Sequence, residues 1–235
     1  MTVQSEQNNA GASSATTVTC NYTNANVAGD SSTVCLGPCS FASITTATAT
    51  DTATNSYSQL ETQKVNDSFI FLCSAQNIKA EAAGANTVQG VINAAAFNNH
   101  LPIFIVEGPP ASAVRVHNSA QGLFGSATAT VSLAGTVAGD YVVAFVCACE
   151  NSGGAAPTAG NAGTNAMTSL QTYNTNDGGD AAFMVAAGIS SGGTINVTAH
   201  TDNTQTGWVG WMIAAVAYTP GTTGQPPNAV LFNTN

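Results

Sequence analysis

Val137-Ala-Gly-Asp140-Tyr-Val-Val-Ala-Phe-Val-Cys147 is a Gly-Asp turn followed by an unbroken apolar run, and its reading decides the fold. β-branched and aromatic side chains suit a pleated, buried surface, so the run is predicted to be a core strand. A degraded copy lies 110 residues earlier, where Val27-Ala-Gly-Asp30 precedes Ser31-Ser-Thr-Val-Cys35. Other landmarks repeat at nearly the same offset. Asn55-Ser-Tyr57-Ser-Gln-Leu60 matches Asn165-Ala-Met167-Thr-Ser-Leu170 at 110, and Ile78 matches Ile189 at 111. Phe104-Ile-Val-Glu-Gly-Pro109 matches Ala215-Val-Ala-Tyr-Thr-Pro220, also at 111. Collinear matches at one spacing predict two tandem copies of one domain.

Working outward, short alternating segments separated by Gly, Pro and Asn predict strands throughout. They cover 15–23, 31–35, 46–54, 67–75, 87–92 and 101–107 in the first copy. In the second they cover 126–133, 137–147, 181–189, 194–201 and 208–218. Residues 1–12 are polar and aperiodic and read as a loose tail, residues 111–122 as a link between copies, and 156–166 as a Gly/Pro/Asn loop. Alanines cluster over Ile78–Ala96, but Gly84 and Gly90 favour loop and strand over helix. The predicted fold class is therefore all-β: two tandem antiparallel β-sandwiches, Ig-like or jelly-roll-like, from an internal duplication. Repeat 1 spans 1–110, repeat 2 spans 111–220, and 221–235 is a C-terminal extension. Within it Ala229, Val230, Leu231 and Phe232 form a short apolar strand that is a candidate for exchange between subunits.

Composition excludes several function classes. The chain has 235 residues but three Lys plus Arg against twelve Asp plus Glu, a formal charge of −9, and only 6% charged residues. With so few cations nothing can neutralise a phosphate backbone, and nucleic acid is not expected as a partner. Attraction to anionic membrane surfaces is disfavoured for the same reason. The longest apolar candidates, 142–149 and 208–218, are too short for a spanning helix, so membrane insertion is not expected. Met1-Thr-Val-Gln-Ser-Glu6 shows neither the basic nor the apolar region of a signal peptide.

Candidate chemistry is sparse. Cys20, Cys35, Cys39, Cys73, Cys147 and Cys149 are disulfide candidates with 15 possible connectivities. Their spacings, with the three histidines far apart in sequence, do not suit a metal site. Three sequons make Asn21, Asn66 and Asn196 glycosylation candidates. Gly188-Ile-Ser-Ser-Gly192 matches the nucleophile elbow, but a strand-like segment follows where the elbow needs a helix. The acids are dispersed, with Asp30, Asp140, Asp177, Asp180 and Asp202 in turns, so no paired carboxylates for glycoside chemistry are indicated. Asp30 and Asp140 each follow Ala-Gly, as in turns closed by side-chain hydrogen bonds. No cofactor is expected; Ca2+ on such loop carboxylates, with Asp177-Gly-Gly-Asp180 the best local set, is the alternative. Trp208 aligns with Phe97 and belongs to packing. Trp211 aligns with His100 and is the candidate ligand contact, as an aromatic platform for sugars. No catalytic or metal-ligating residue is assigned, and no enzyme is predicted.

The order of Val3-Gln-Ser, the Thr-rich strand, Val27-Ala-Gly-Asp30, Asp51-Thr-Ala-Thr-Asn-Ser-Tyr57 and Val106-Glu-Gly resembles a β-sandwich repeat family of bacterial secreted and cell-surface proteins. The second copy departs from it, lacking an Asp at the Asp51 position and carrying Tyr218 for Glu107. The resemblance implies an extracellular, cell-surface, non-catalytic role. With sheet edges short of guarding charge, it leads to the expectation of a self-assembling structural subunit. Such a subunit would form an extracellular filament, pilus-like fibre or surface layer, by strand exchange of the kind that adds a strand to a neighbour's sheet. The alternatives are a carbohydrate-binding or adhesive module with glycan partners, and a virion decoration or fibre protein.

Overall fold

The computed structural model describes residues 2–9, 14–40, 42–96, 100–123, 127–149, 156–174, 181–201, 210–221 and 231–232. The described residues form strands and no helix. In chain order these are β1 (Thr2–Asn9), β2 (Thr17–Asn21), β3 (Asp30–Leu36), β4 (Ala47–Asp51), β5 (Ser58–Val65), β6 (Ser68–Ala75), β7 (Thr87–Ile92) and β8 (Pro102–Leu123). There follow β9 (Thr128–Thr136), β10 (Tyr141–Cys149), β11 (Thr158–Ala162), β12 (Asn165–Ala166), β13 (Thr168–Asn174), β14 (Ala181–Ile189), β15 (Gly193–His200), β16 (Gly210–Pro220) and β17 (Leu231–Phe232).

The long strand β8 organises the molecule. Its first part, to Pro110, pairs antiparallel with β3 on one side and β1 on the other. From Ala111 onward it pairs with β16 instead. One leaf therefore reads β1-β8-β3-β6-β5, and a second reads β8-β16-β10-β14-β13. The leaves face each other across a shared core containing Cys35, Ile70, Leu72, Phe104 and Val106 from the first, and Val143, Phe145, Phe183, Val185 and Val216 from the second. A separate sheet, β2-β7-β4, covers the outside of the first leaf, and β12-β11-β15-β9 covers the outside of the second.

This layering explains the apolar run from which the sequence was read. Along β10, Tyr141, Val143, Phe145 and Cys147 point into the shared core, while Val142, Ala144 and Val146 point into the core beneath the outer sheet. A strand buried on both faces has no polar side to alternate with. β6 behaves likewise, sending Ile70 and Leu72 one way and Phe69, Phe71 and Cys73 the other. Phe145 stands between Phe104 and Phe183, with ring centroids 5.3 and 5.8 Å apart. Each such side chain contributes roughly 1.5–3 kcal/mol on burial. The turns before β3 and β10 need glycine, since Gly29 and Gly139 adopt φ of 92° and 97°.

Several expectations are corrected. The polar residues 1–12 contain β1, which carries one apolar residue in the shared core, Val3, and so has no periodic signature. It is held by its ladder to β8, with Gln4 and Ser5 buried. The segment 111–122, read as a link, is the second part of β8. Residues 158–162 and 165–166, read as loop, pair as β11 and β12, and β11 joins β15 across an irregular register. β5 and β13 were not foreseen. Both are edge strands with mixed exposure and polar composition, and their pairing is bulged.

Candidate functional site

The two Val-Ala-Gly-Asp turns lead to a buried carboxyl in each half, and the halves neutralise it differently. In the second half Asp140 is 1% exposed and its carboxylate lies 2.6 Å from Nε of Arg115 on β8. The same carboxylate accepts from the Val137 amide at 2.8 Å. In the first half Asp30 and Glu107 are each 2% exposed, and the turn that Glu107 holds at the Val27 amide is closed by the Asp30 N–H on the Val27 carbonyl. Burial, then the neighbouring Glu107, push the Asp30 carboxyl up to about 8. Glu107 accepts from Asn26 Nδ2 at 2.7 Å, from the Val27 amide at 2.7 Å and from Gln4 Nε2. Three N–H donors satisfy the Glu107 carboxyl, and the raised Asp30 carboxyl is the one that holds a proton. These donors also oppose a bound cation.

The faces between the leaves are joined by hydroxyls and closed approaches. The Tyr218 hydroxyl lies 2.7 Å from both Thr33 Oγ1 and Ser74 Oγ. A Cβ at Gly37 would sit 2.5 Å from the Phe183 ring, and one at Gly108 would collide with the ring of Tyr141. Both rims are clasped by side chains. On one, Glu61 of β5 meets His117 Nδ1 at 2.6 Å and receives Ser119, while Gln63 Nε2 donates to Ser119 Oγ at 3.0 Å. On the other, Gln171 Nε2 of β13 donates to the Ser5 carbonyl of β1 at 3.1 Å.

The outer sheets present hydroxyls and amides. Thr17, Thr19 and Asn21 on β2, Gln89 on β7, and Thr48 and Thr50 on β4 are exposed. The register sets Gln89 between Thr19 and Thr50. On the other side Ser132 and Asn196 are paired and exposed, with half-buried Thr130 and Thr198 beside them. Lys64 lies over the Phe69 ring at 4.9 Å, Lys79 is bonded to Thr54 and Arg115 is bound to Asp140. Each of the chain's cations is thus committed to a local contact.

The candidates from sequence are dispersed. Asn21, Asn66 and Asn196 are all exposed, Asn66 in the turn between β5 and β6 with φ of 54°. The six cysteines are all buried and stand as free thiols. Cys20 and Cys73 lie in the core under β2-β7-β4, and Cys35, Cys39, Cys147 and Cys149 in the shared core. Cys147 and Cys149 bring their sulfurs to 3.6 Å, but as alternate residues of one strand. Trp211 is half-buried against the core beneath the outer sheet, its indole against Gly122 of the neighbouring strand, so it serves packing. Ser190 of the elbow-like stretch lies between two strands, bonded to Thr136 Oγ1 at 2.8 Å. Leu231 and Phe232 pair in parallel with Thr2 and Val3 of β1. Ala229, Val230, Asp177, Asp180, Asp202 and Trp208 lie outside the described residues. Among the described residues no group of three His, Cys, Asp or Glu is arranged for a metal. Sequence reasoning missed Glu107 and Arg115; the presence of Tyr218 where the 111-residue offset from Glu107 falls was the available signal. No family model, curated protein or solved structure matches this chain.

Proposed function

We propose that the chain is a non-catalytic structural subunit that self-assembles into an ordered extracellular filament, fibre or layer. Its halves, 1–110 and 111–220, are tandem sandwiches descended from one duplicated domain. The observation that carries the assembly reading is the chemistry of the outer sheets: exposed Thr, Ser, Asn and Gln with hardly a charge among them. Like charges, Lys above all, are what normally hold sheet surfaces and edges apart. Here that guard is missing.

The duplication is supported by strand order. Taken in chain order, the first half places strands 1-8-3-6 in the inner leaf and 2-7-4 outside, and the second half repeats this once β8 is divided after Pro110. That order is the jelly-roll order, an architecture used in viral capsid and lectin domains among others. The rims also correspond: β5 meets the second part of β8, and its counterpart β13 meets β1. β17 supports strand exchange, because among the described residues it pairs with β1 at Leu231 and Phe232 and could do so on a neighbour.

A virion shell or fibre protein is the second reading. Six buried cysteines without a disulfide favour it, since assembly inside a cell keeps thiols reduced. The adhesive reading is weakened by the packing of Trp211.

Thr48→Lys combined with Asn196→Lys places one cation on each outer sheet at exposed positions. Sedimentation velocity should show loss of large assemblies with an unchanged circular dichroism spectrum. Assembly undiminished by both substitutions would remove the outer sheets from the mechanism.

A further inference from the structure

We propose that Asp30 and Glu107 form a proton-operated latch on β1: one proton held by the pair keeps the strand in its sheet, and loss of that proton as the pH rises releases it. The geometry carries this. Both carboxyls are 2% exposed, and Glu107 is the group to which the side chain of Gln4, on β1, is anchored. Asn26 and Val27, in the turn entering β3, hold the same carboxylate. One carboxyl group of the pair can be ionised here without a cation, because donors surround it. Two cannot, since Asp30 ends the same turn that Glu107 holds at Val27, and like charges brought together in a buried site repel strongly.

The second half supplies the control. There Arg115, 111 positions after Gln4, lies at the register shift of β8 opposite Ala217 and Tyr218, and its guanidinium neutralises Asp140. The first half has the acid without the cation. The groups around Asp30 offer no substitute. Glu107 of β8 adds negative charge. Tyr22 of the segment after β2 also feels Glu107, and Tyr141 of β10 packs at Gly108 beside Ser31, both as neutral phenols. On the connection between β6 and β7, Lys79 turns its ammonium to Thr54, and Glu81 meets Asn26 through the backbone.

When Asp30 gives up its proton, the pair must reach water, and β1 is the cheapest element to move. It places one apolar side chain, Val3, in the shared core. β3 and the first part of β8 are paired along both sides, whereas among the described residues β1 meets β8 from Gln4 to Asn9 and β17 at Thr2 and Val3. A strand with few buried apolar contacts opens at low cost.

Hydrogen exchange of the full chain, followed by mass spectrometry from about pH 6 to pH 10 and corrected for intrinsic chemistry, tests the latch. Protection of residues 2–9 should fall at least tenfold between about pH 6 and pH 8 and level off above that, while that of residues 141–149 holds. Asp30→Asn keeps hydrogen bonding without the charge and should abolish the fall. Gln4→Arg supplies the guanidinium of the second half and should abolish it too. Protection of β1 that is flat in the wild type, or that falls equally in both variants, overturns the proposal. If Asp30→Asn does not fold, the Gln4→Arg comparison decides alone.

Discussion

The hydroxyl of Tyr218 lies 2.7 Å from Oγ1 of Thr33, 185 residues earlier in the chain. It is equally close to Ser74 Oγ, so one phenol of the last long strand of the second leaf ties two strands of the first. Burial holds the phenol in its neutral, donating form. Tyr218→Phe keeps the ring and strands two buried hydroxyls. An unsatisfied buried polar group costs roughly 1–3 kcal/mol, so the variant should lose stability of about that size. Urea unfolding reads it directly; a midpoint unchanged from wild type would show that water serves the two hydroxyls as well.

Gly108 and Gly37 exist for the rings of the opposing leaf. Gly108→Ala sets a methyl against Tyr141, and Gly37→Ala sets one against Phe183. Overpacking a dense core costs roughly 1–3 kcal/mol. Alanine at Gly84, where nothing lies within 4 Å, meets no ring, though its φ of 73° gives it a backbone cost of its own. Thermal melts of the three variants should place Gly108→Ala and Gly37→Ala below Gly84→Ala. The reverse order would mean that the leaves pack less closely than described.

What the sequence disclosed follows from which side chains a strand must bury. β10 and β6 lie between two layers, and their apolar runs were legible as core strands. β2 and β4 alternate cleanly because one face is wet, and they were legible too. β1 was not, because its place in the sheet depends on backbone pairing with β8 and on Gln4 reaching Glu107, and neither leaves a periodic trace. The second part of β8 was taken for a link because Arg115, His117 and Asn118 are polar and it continues a strand without a turn. The carboxyl sites were legible only in half. Asp30 and Asp140 stood out as turn residues, but their partners come from 77 and 25 positions away in sequence, on strands that pairing alone brings together.

The cysteines give a chemical check on compartment and packing. Burial pushes the Cys20 and Cys73 thiols up to about 12, and Cys35 is raised as well. Thiols held neutral are poor nucleophiles. A soluble disulfide reagent at neutral pH should therefore leave the native protein essentially unlabelled and label all six cysteines in guanidinium without added reductant. Fewer than six thiols after unfolding would reveal a disulfide and favour an oxidising site of assembly.

The central claim is that this chain is built to associate with itself, and electron microscopy of the purified full-length protein, without added ligand, tests it most directly. The account predicts ordered filaments, sheets or shells with a repeat set by the subunit. A field of monodisperse single particles, unchanged as protein concentration is raised, would contradict it.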